Sequence, residues 1–199
     1  MSPRPDVSEE RKNQILEAAT AVFARLGFHK ARMDDIVDES GLSKGSLYWY
    51  FNSKDEIILA ILNRMFEREL SDLKNLPDMP GSAAERLERM VERAIVDIQG
   101  MLKLMPLAFE FLSLAFRRKI VQQALSQYVE SYLALATPVI QQGIDRGEFH
   151  PVDVEQTALA IFAIIEGSAM MWVYAPERVQ TSQLIRFGTQ RLLDGLKVD

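Results

Sequence analysis

The chain of 199 residues has no cysteine and only two histidines, His29 and His150. The first absence excludes a disulfide framework and a thiolate metal site, and it fits a reducing cytoplasm. The second leaves too few ligands, too far apart, for a histidine–carboxylate metal centre. No G-x-G-x-x-G or Walker pattern occurs, so neither a metal nor a nucleotide-type cofactor is expected. No segment alternates with period two, which predicts no sheet. No uninterrupted apolar run of ~18 residues is present, and the N-terminus lacks a signal-type apolar core, so no membrane partner is expected. An excess of basic charge is also missing. The net charge is −5, and through Asp55 eight Lys/Arg stand against nine Asp/Glu. Any contact with nucleic acid must therefore be local, with a shallow dependence on salt.

What is present is helical patterning. Hydrophobic residues make up 48% of the chain and charged residues 26%, the balance of a soluble globular protein of one or two domains. Residues 1–7, with Pro3 and Pro5, read as a flexible arm. From Ser8 to Leu26, Ile15, Ala18, Ala19, Val22, Phe23 and Leu26 recur at helical spacing, and Gly27 ends the run.

The stretch from Met33 to Asn52 carries the densest signal. Met33, Ile36 and Val37 share one face of a short helix. Gly41 follows, where a sharp turn needs φ > 0. Ser43 then suits the N-cap of the next helix. In that helix Leu47 and Phe51 form the anchoring stripe. Gly45, Ser46, Trp49 and Tyr50 point the other way, and Lys44 and Tyr48 lie at the border. A face built of glycine, small hydroxyls, aromatics and lysine suits a partner better than bulk water. Against DNA, Lys44 can donate to a base edge or phosphate, and Gly45 permits close approach. Ser46 and Tyr50 can reach phosphate oxygens, and Tyr48 and Trp49 offer apolar surface to a thymine methyl. Lys54 adds charge at the start of the following helix.

These residues resemble the TetR family of transcriptional regulators. The likeness runs from about Arg11 to Leu62. It includes Ile15-Leu16-Glu17-Ala18-Ala19, Leu26-Gly27-Phe28, Met33-Asp34-Asp35-Ile36-Val37, the run Gly41 to Phe51, and Ser53-Lys54-Asp55-Glu56. The resemblance implies that Ser43, Lys44, Gly45, Ser46, Tyr48, Trp49, Tyr50 and Lys54 sit where the family touches operator DNA. Ala31 and Arg32 depart from the hydroxyl residues usual there. Arg32 can supply a phosphate contact but not the missing helix cap. Val37 stands where a small alanine is usual.

Beyond the motif, Ser53 and Glu56 form a capping box for a helix expected to run to about Asn75. Ser82 and Glu85 form a second box, ahead of the stripe Leu87, Met90, Val91, Ala94, Ile95 and Ile98. Leu107–Phe116 is apolar almost all round, which predicts a helix buried on several sides or lining a cavity. Further helices are expected over Ile120–Ile144, from Asp153 past Trp172, and over Thr181–Leu196. The fold class expected is all-α, with about nine helices: a three-helix DNA-binding domain over 8–53, with its helix-turn-helix motif at 33–52, and a ligand-binding and dimerisation domain over 54–199.

Met101, Met105, Phe109, Phe116, Tyr128, Tyr132 and Trp172 are the candidate lining of a pliable small-molecule pocket, against the plainer reading of ordinary core. Glu110 and Glu166 fall inside the apolar stretches, where a carboxylate must pair, meet a cationic ligand or face solvent. The last two helices are apolar enough to need a partner surface, and the resemblance implies that they pair two copies as a homodimer. Two recognition helices must then meet successive major grooves, which implies a palindromic operator. The family scheme adds a small apolar or amphipathic effector that releases a repressor from DNA. A helical ligand-binding or interaction protein that never touches DNA is the alternative. Gly41-Leu42-Ser43-Lys44-Gly45 also fits G-x-S-x-G, but a hydrolase elbow needs a preceding strand, and Met33–Glu39 is helical in pattern. No catalytic residue, and no enzyme, is expected.

Overall fold

The computed structural model describes residues 7–101 and 105–198, leaving out the side chains at 7, 101, 105 and 106. Nine α-helices occur among these residues: α1 Val7–Leu26, α2 Met33–Ser40, α3 Lys44–Tyr50, α4 Lys54–Ser71, α5 Ala83–Met101, α6 Met105–Ala115, α7 Lys119–Asp145, α8 Val154–Tyr174 and α9 Thr181–Leu196. A 3-10 turn, Leu76–Asp78, precedes α5. The expected class is therefore found. The only extended pairing among the described residues is an isolated bridge between Phe149 and Lys197. Of the expected arm, all but Val7 lies outside the described residues.

The chain divides into two compact units. The first holds residues up to Phe66 together with Leu104–Ser126, and the second holds Glu67–Lys103 and Gln127–Asp199. The sequence placed a single boundary at 53/54. The compact units instead assign most of α4, all of α6 and the start of α7 to the N-terminal unit. The reason is apolar: Leu107, Phe111, Leu114 and Val121 are buried in one cluster with Ile15, Phe23, Ile36, Leu47 and Ile58. Phe23 meets Phe28 edge-on at 5.5 Å and Phe111 at 6.2 Å between ring centroids.

In the second unit the α5 stripe is buried as expected, at Leu87, Met90, Val91, Ala94, Ile95 and Ile98. Ala158, Ile161 and Ile165 of α8 and Ile185 and Leu193 of α9 are buried too, and α5, α8 and α9 pack on one another. Arg86 is fully buried, donating from Nη1 to the Pro77 carbonyl and to Gln142 Oε1, each at 2.6 Å. Through Nη1 it ties α5, α7 and the turn before α5, which offsets part of the several kcal/mol that burying a guanidinium costs, while Nη2 has no partner among the described residues. A Cβ at Gly143 would stand 2.4 Å from the Phe149 ring, so only glycine lets that ring seat against α7.

One expectation needs correction here. The helix expected to reach Asn75 ends at Ser71. Leu73 is buried by tight turns, its N–H donating to Leu70 O and its own carbonyl accepting from Leu76. The helical stripe therefore outran the helix. One helix among the described residues, α8, is long and apolar enough to cross a bilayer by length and composition alone, with Glu166 interrupting its apolar run. In this fold its buried side chains face α5 and α9.

Candidate functional site

The helix-turn-helix is built by local chemistry. Arg32 precedes α2 and, lacking an acceptor, cannot cap it. Asp35 instead reaches back, its Oδ2 accepting from the Arg32 N–H at 2.7 Å. Only this half of a capping box forms, and the acceptor that an N-cap hydroxyl would offer to the first turn is missing. Gly41 closes α2 at φ 65°, its N–H bonding to Val37 O. That left-handed conformation is cheap only without a Cβ. Ser43 then caps α3, its Oγ accepting from the Ser46 N–H at 3.1 Å. A helix, not a strand, leads into Ser43, and its hydroxyl is engaged in capping. The G-x-S-x-G pattern is therefore part of a helix-turn-helix.

α3 is sharply two-sided. Leu47 is fully buried and Phe51 nearly so. Burying a leucine contributes roughly 1.5–3 kcal/mol, enough to fix which face turns out. On the outer side Trp49 is 84% exposed and Tyr48 39%. Lys44, Ser43 and Gly45 are exposed, and nothing lies within 4 Å of where a Gly45 Cβ would be. Ser46 and Tyr50 are half-buried, and Tyr50 packs against the core. Helical projection puts Tyr50 roughly outward. A ring this large at the rim reaches back to apolar neighbours and keeps only its edge for a partner.

The lysines differ. The Lys44 ammonium meets Asp34 Oδ1 at 2.6 Å, both side chains well exposed, and that hydrogen bond lifts its pKa. Such a surface pair is weak and readily exchanged for a phosphate. The Lys54 ammonium is turned inward. It donates to the carbonyls of Phe28 and Ala31 and lies 4.4 Å from the Phe28 ring centroid. Loss of solvation lowers its pKa. Of the three hydrogens an ammonium carries, one remains for a phosphate. In the free chain Lys54 first of all locks the α1–α2 turn. Glu110 holds the same turn, its Oε1 accepting from Phe28 N–H at 2.7 Å. This carboxylate, flagged by its apolar surroundings, has a structural partner. Arg32 is exposed beside the motif.

The expected pocket residues do not come together as one set. The side chains of Met101 and Met105 lie outside the described residues. Phe109 is half-buried in the first unit. Phe116, also in the first unit, is 92% exposed at the end of α6 and lines no pocket there. It sits past the last turn of α6, where no neighbouring helix covers it. Trp172 is half-buried, ten residues or roughly 15 Å along α8 from Phe162.

Tyr128 and Tyr132 do converge, with Glu166, which its apolar surroundings flagged, and with Phe162 and Glu69, which were not expected at a site. Both flank Phe162 of α8, with centroids 5.6 and 4.8 Å away. Glu69, near the end of α4, hydrogen-bonds to Tyr128, and desolvation raises its pKa. Desolvation, then repulsion by Glu69, lifts Glu166 to about 7. Yet Glu166 is an exposed residue, so its carboxyl is crowded by protein atoms on one side and reached by solvent on the other. Phe162 with Glu166, and Tyr128 with Tyr132, are both spaced i,i+4, a signal the sequence did hold. Glu69, inside the charged run Glu67-Arg68-Glu69, gave none.

Residues 15–61 match the family model described as bacterial regulatory proteins, tetR family. Residues 83–196 match the model described as BetI-type transcriptional repressor, C-terminal. An HTH-type transcriptional regulator of Bacillus subtilis (strain 168), YfiR, is 32% identical over 167 residues, covering 81% of this chain and 80% of that protein. The HTH-type transcriptional regulator TtgR of Pseudomonas putida is 25% identical, covering 86% of this chain and 84% of TtgR. Among solved structures, a TetR transcription regulator from Haloarcula marismortui superposes with a TM-score of 0.84 at 22% identity, over 96% of this chain and 100% of that one. FadR from Bacillus subtilis, solved with stearoyl-CoA, does so at 0.78 and 21%, over 92% and 98%. At these identities the structural likenesses speak to the fold.

Proposed function

Because the chain belongs to the tetR family of bacterial regulatory proteins, we propose that it is a repressor, working as a homodimer on a palindromic operator and released by a small-molecule effector. The observation that carries the DNA part is the division of α3. Leu47 is sealed in the core while Trp49, Tyr48, Lys44 and Gly45 stand open one helical turn or less away. Lys44 exchanges Asp34 for a phosphate or base edge. Tyr48 and Trp49 lie along the groove wall. Ser43, Ser46 and the rim of Tyr50 meet phosphates, and Arg32 and the spare hydrogen of Lys54 flank them.

Dimerisation through α8 and α9 is supported by what those helices leave open. Met170, Met171, Val173 and Tyr174 on α8 and Leu184 and Phe187 on α9 are exposed, with Phe187 at 64%. Exposed apolar side chains gathered on two helices that pack on one another suit an interface. The coupling runs through α4, which carries Lys54 near one end and Glu69 near the other, roughly 22 Å apart along the axis. An effector that shifts Glu69 moves the helix on which the α1–α2 turn is clamped. A coupling of about 1–3 kcal/mol weakens operator binding roughly 5–150-fold. A cytoplasmic setting and the lack of an enzymatic activity go with this reading.

The test is a gel shift on operator-selected DNA with wild type and the Lys44→Ala/Tyr48→Ala double variant. Affinity is expected to fall about 100-fold or more, at roughly 1–3 kcal/mol per contact, with the dimer unchanged by sedimentation. Unaltered affinity in that variant refutes the assignment of α3.

A further inference from the structure

The second unit holds a group of side chains whose charges do not balance. Glu69, Tyr128, Tyr132, Phe162 and Glu166 gather there from α4, α7 and α8. The cation that acts on Glu69 is Arg93 of α5. It already holds Asp72 at 3.0 Å and Asp97 at 2.9 Å, and Asp97 adds its own repulsion to Glu69. The cluster therefore carries more carboxylate than cation. Tyr132 is 4% exposed, and its hydroxyl has no hydrogen-bond partner. Both Glu69 and Glu166 lie close enough to that hydroxyl to oppose its ionisation. A buried hydroxyl left unpaired costs about 1–3 kcal/mol.

Each oddity points to the same missing group. The carboxylates need positive charge, the Tyr132 oxygen can accept a hydrogen, and the Phe162 face favours a cation. Glu166 is reachable, so the charge can come from outside. The geometry points to a receptor for a lipophilic organic cation, a protonated amine on an apolar body, held by Glu69 and Glu166 beside the Tyr132 hydroxyl and the Phe162 ring. This rests on the reading of the second unit as the effector domain, and it names the effector's class. An anionic ligand of the same shape would meet the carboxylates and be rejected. Cation binding also favours the charged form of Glu166, so a proton leaves as the ligand enters. The groups setting that exchange are Glu166 itself, Glu69, Tyr128, Tyr132, Arg93 and Asp97.

Three probes sharing one body separate charge from shape: 4-phenylbutylamine, 4-phenylbutanol and 4-phenylbutyrate. Titration calorimetry on the full chain at pH 7, in two buffers of different ionisation enthalpy, reads affinity and proton release together. The amine is expected to bind about tenfold or more tighter than the alcohol, with the butyrate weakest. Proton release should accompany the amine alone. Glu166→Gln should remove the amine's advantage and its proton release while leaving the alcohol unchanged. Tyr132→Phe should weaken the amine alone, and it serves as the second variant if Glu166→Gln does not fold. Equal affinity for amine and alcohol, or tighter binding of the butyrate, overturns the cation assignment while leaving the effector domain standing. Binding of none of the three overturns both.

Discussion

The chain uses aromatic side chains in two regions in opposite ways. On α3 Trp49 and Tyr48 project outward from a helix whose other face is sealed. In the second unit Tyr128 and Tyr132 are buried against the half-buried Phe162 and keep company with carboxylates. An exposed aromatic pays no desolvation until a large partner covers it, which suits a flat, polyanionic groove. An enclosed aromatic beside an acid is already desolvated, which suits a small molecule that brings charge. The same residue type therefore reports two kinds of partner, and burial separates them.

The comparison can be broken first within α3. Leu47→Ala should destabilise the first unit by about 2–5 kcal/mol, because a fully buried leucine leaves a cavity. Trp49→Ala should change stability by less than about 0.5 kcal/mol while weakening DNA binding. Denaturant unfolding and gel shift on the same samples check both. Equal destabilisation by the two variants would mean that Trp49 belongs to the core.

The two lysines sharpen it next. Lys54→Ala removes the ammonium from the Phe28 and Ala31 carbonyls, and stability should fall by about 1–2 kcal/mol. Lys44→Ala breaks only an exposed pair, so stability should hold while affinity for DNA falls. Ser43→Ala should cost about 1 kcal/mol through the lost cap, and Ser43→Gly less. Thermal melts of the four variants rank them.

The smallest effect is electrostatic. Crowding by protein atoms, with repulsion from Glu69, raises the Glu166 pKa to about 7, so above the ordinary carboxylate value the folded chain holds more protons than the unfolded one. That contribution to stability is complete below the unfolded pKa and is lost as pH rises through about 7. Glu69 shifts in the same direction. Between pH 5 and 8 the wild type should therefore lose stability relative to Glu166→Gln, which does not titrate there. Parallel curves for the two proteins would place the Glu166 carboxyl in open solvent.

Much of this was legible in the sequence. Residues spaced three and four apart gave all nine helices, since each helix buries one stripe. Gly41 and Ser43 marked the turn and the cap because only certain side chains suit those positions. Other features depended on tertiary packing that no local pattern encodes. Leu73 continued a helical stripe but is buried by a turn. Lys54 lies next to a capping box, and only the folded α1–α2 turn shows its ammonium directed at carbonyls. Phe116 closed an apolar run, yet it falls beyond the cover of any helix. Glu69 looked like one of several solvated charges until α4, α7 and α8 were placed together. The recognition face was readable because it is local to one short helix. The acid–aromatic cluster draws on residues up to 97 positions apart, 69 to 166, and was readable only in part.

The central claim is that α3 enters duplex DNA in two symmetric copies. Selection of bound sequences from random DNA by the purified full chain tests it most directly. The account predicts enrichment of an inverted repeat whose half-site centres lie about one helical turn, roughly 34–36 Å, or a multiple of it apart. Recovery of no common sequence, or of a single half-site without a symmetric mate, would contradict it.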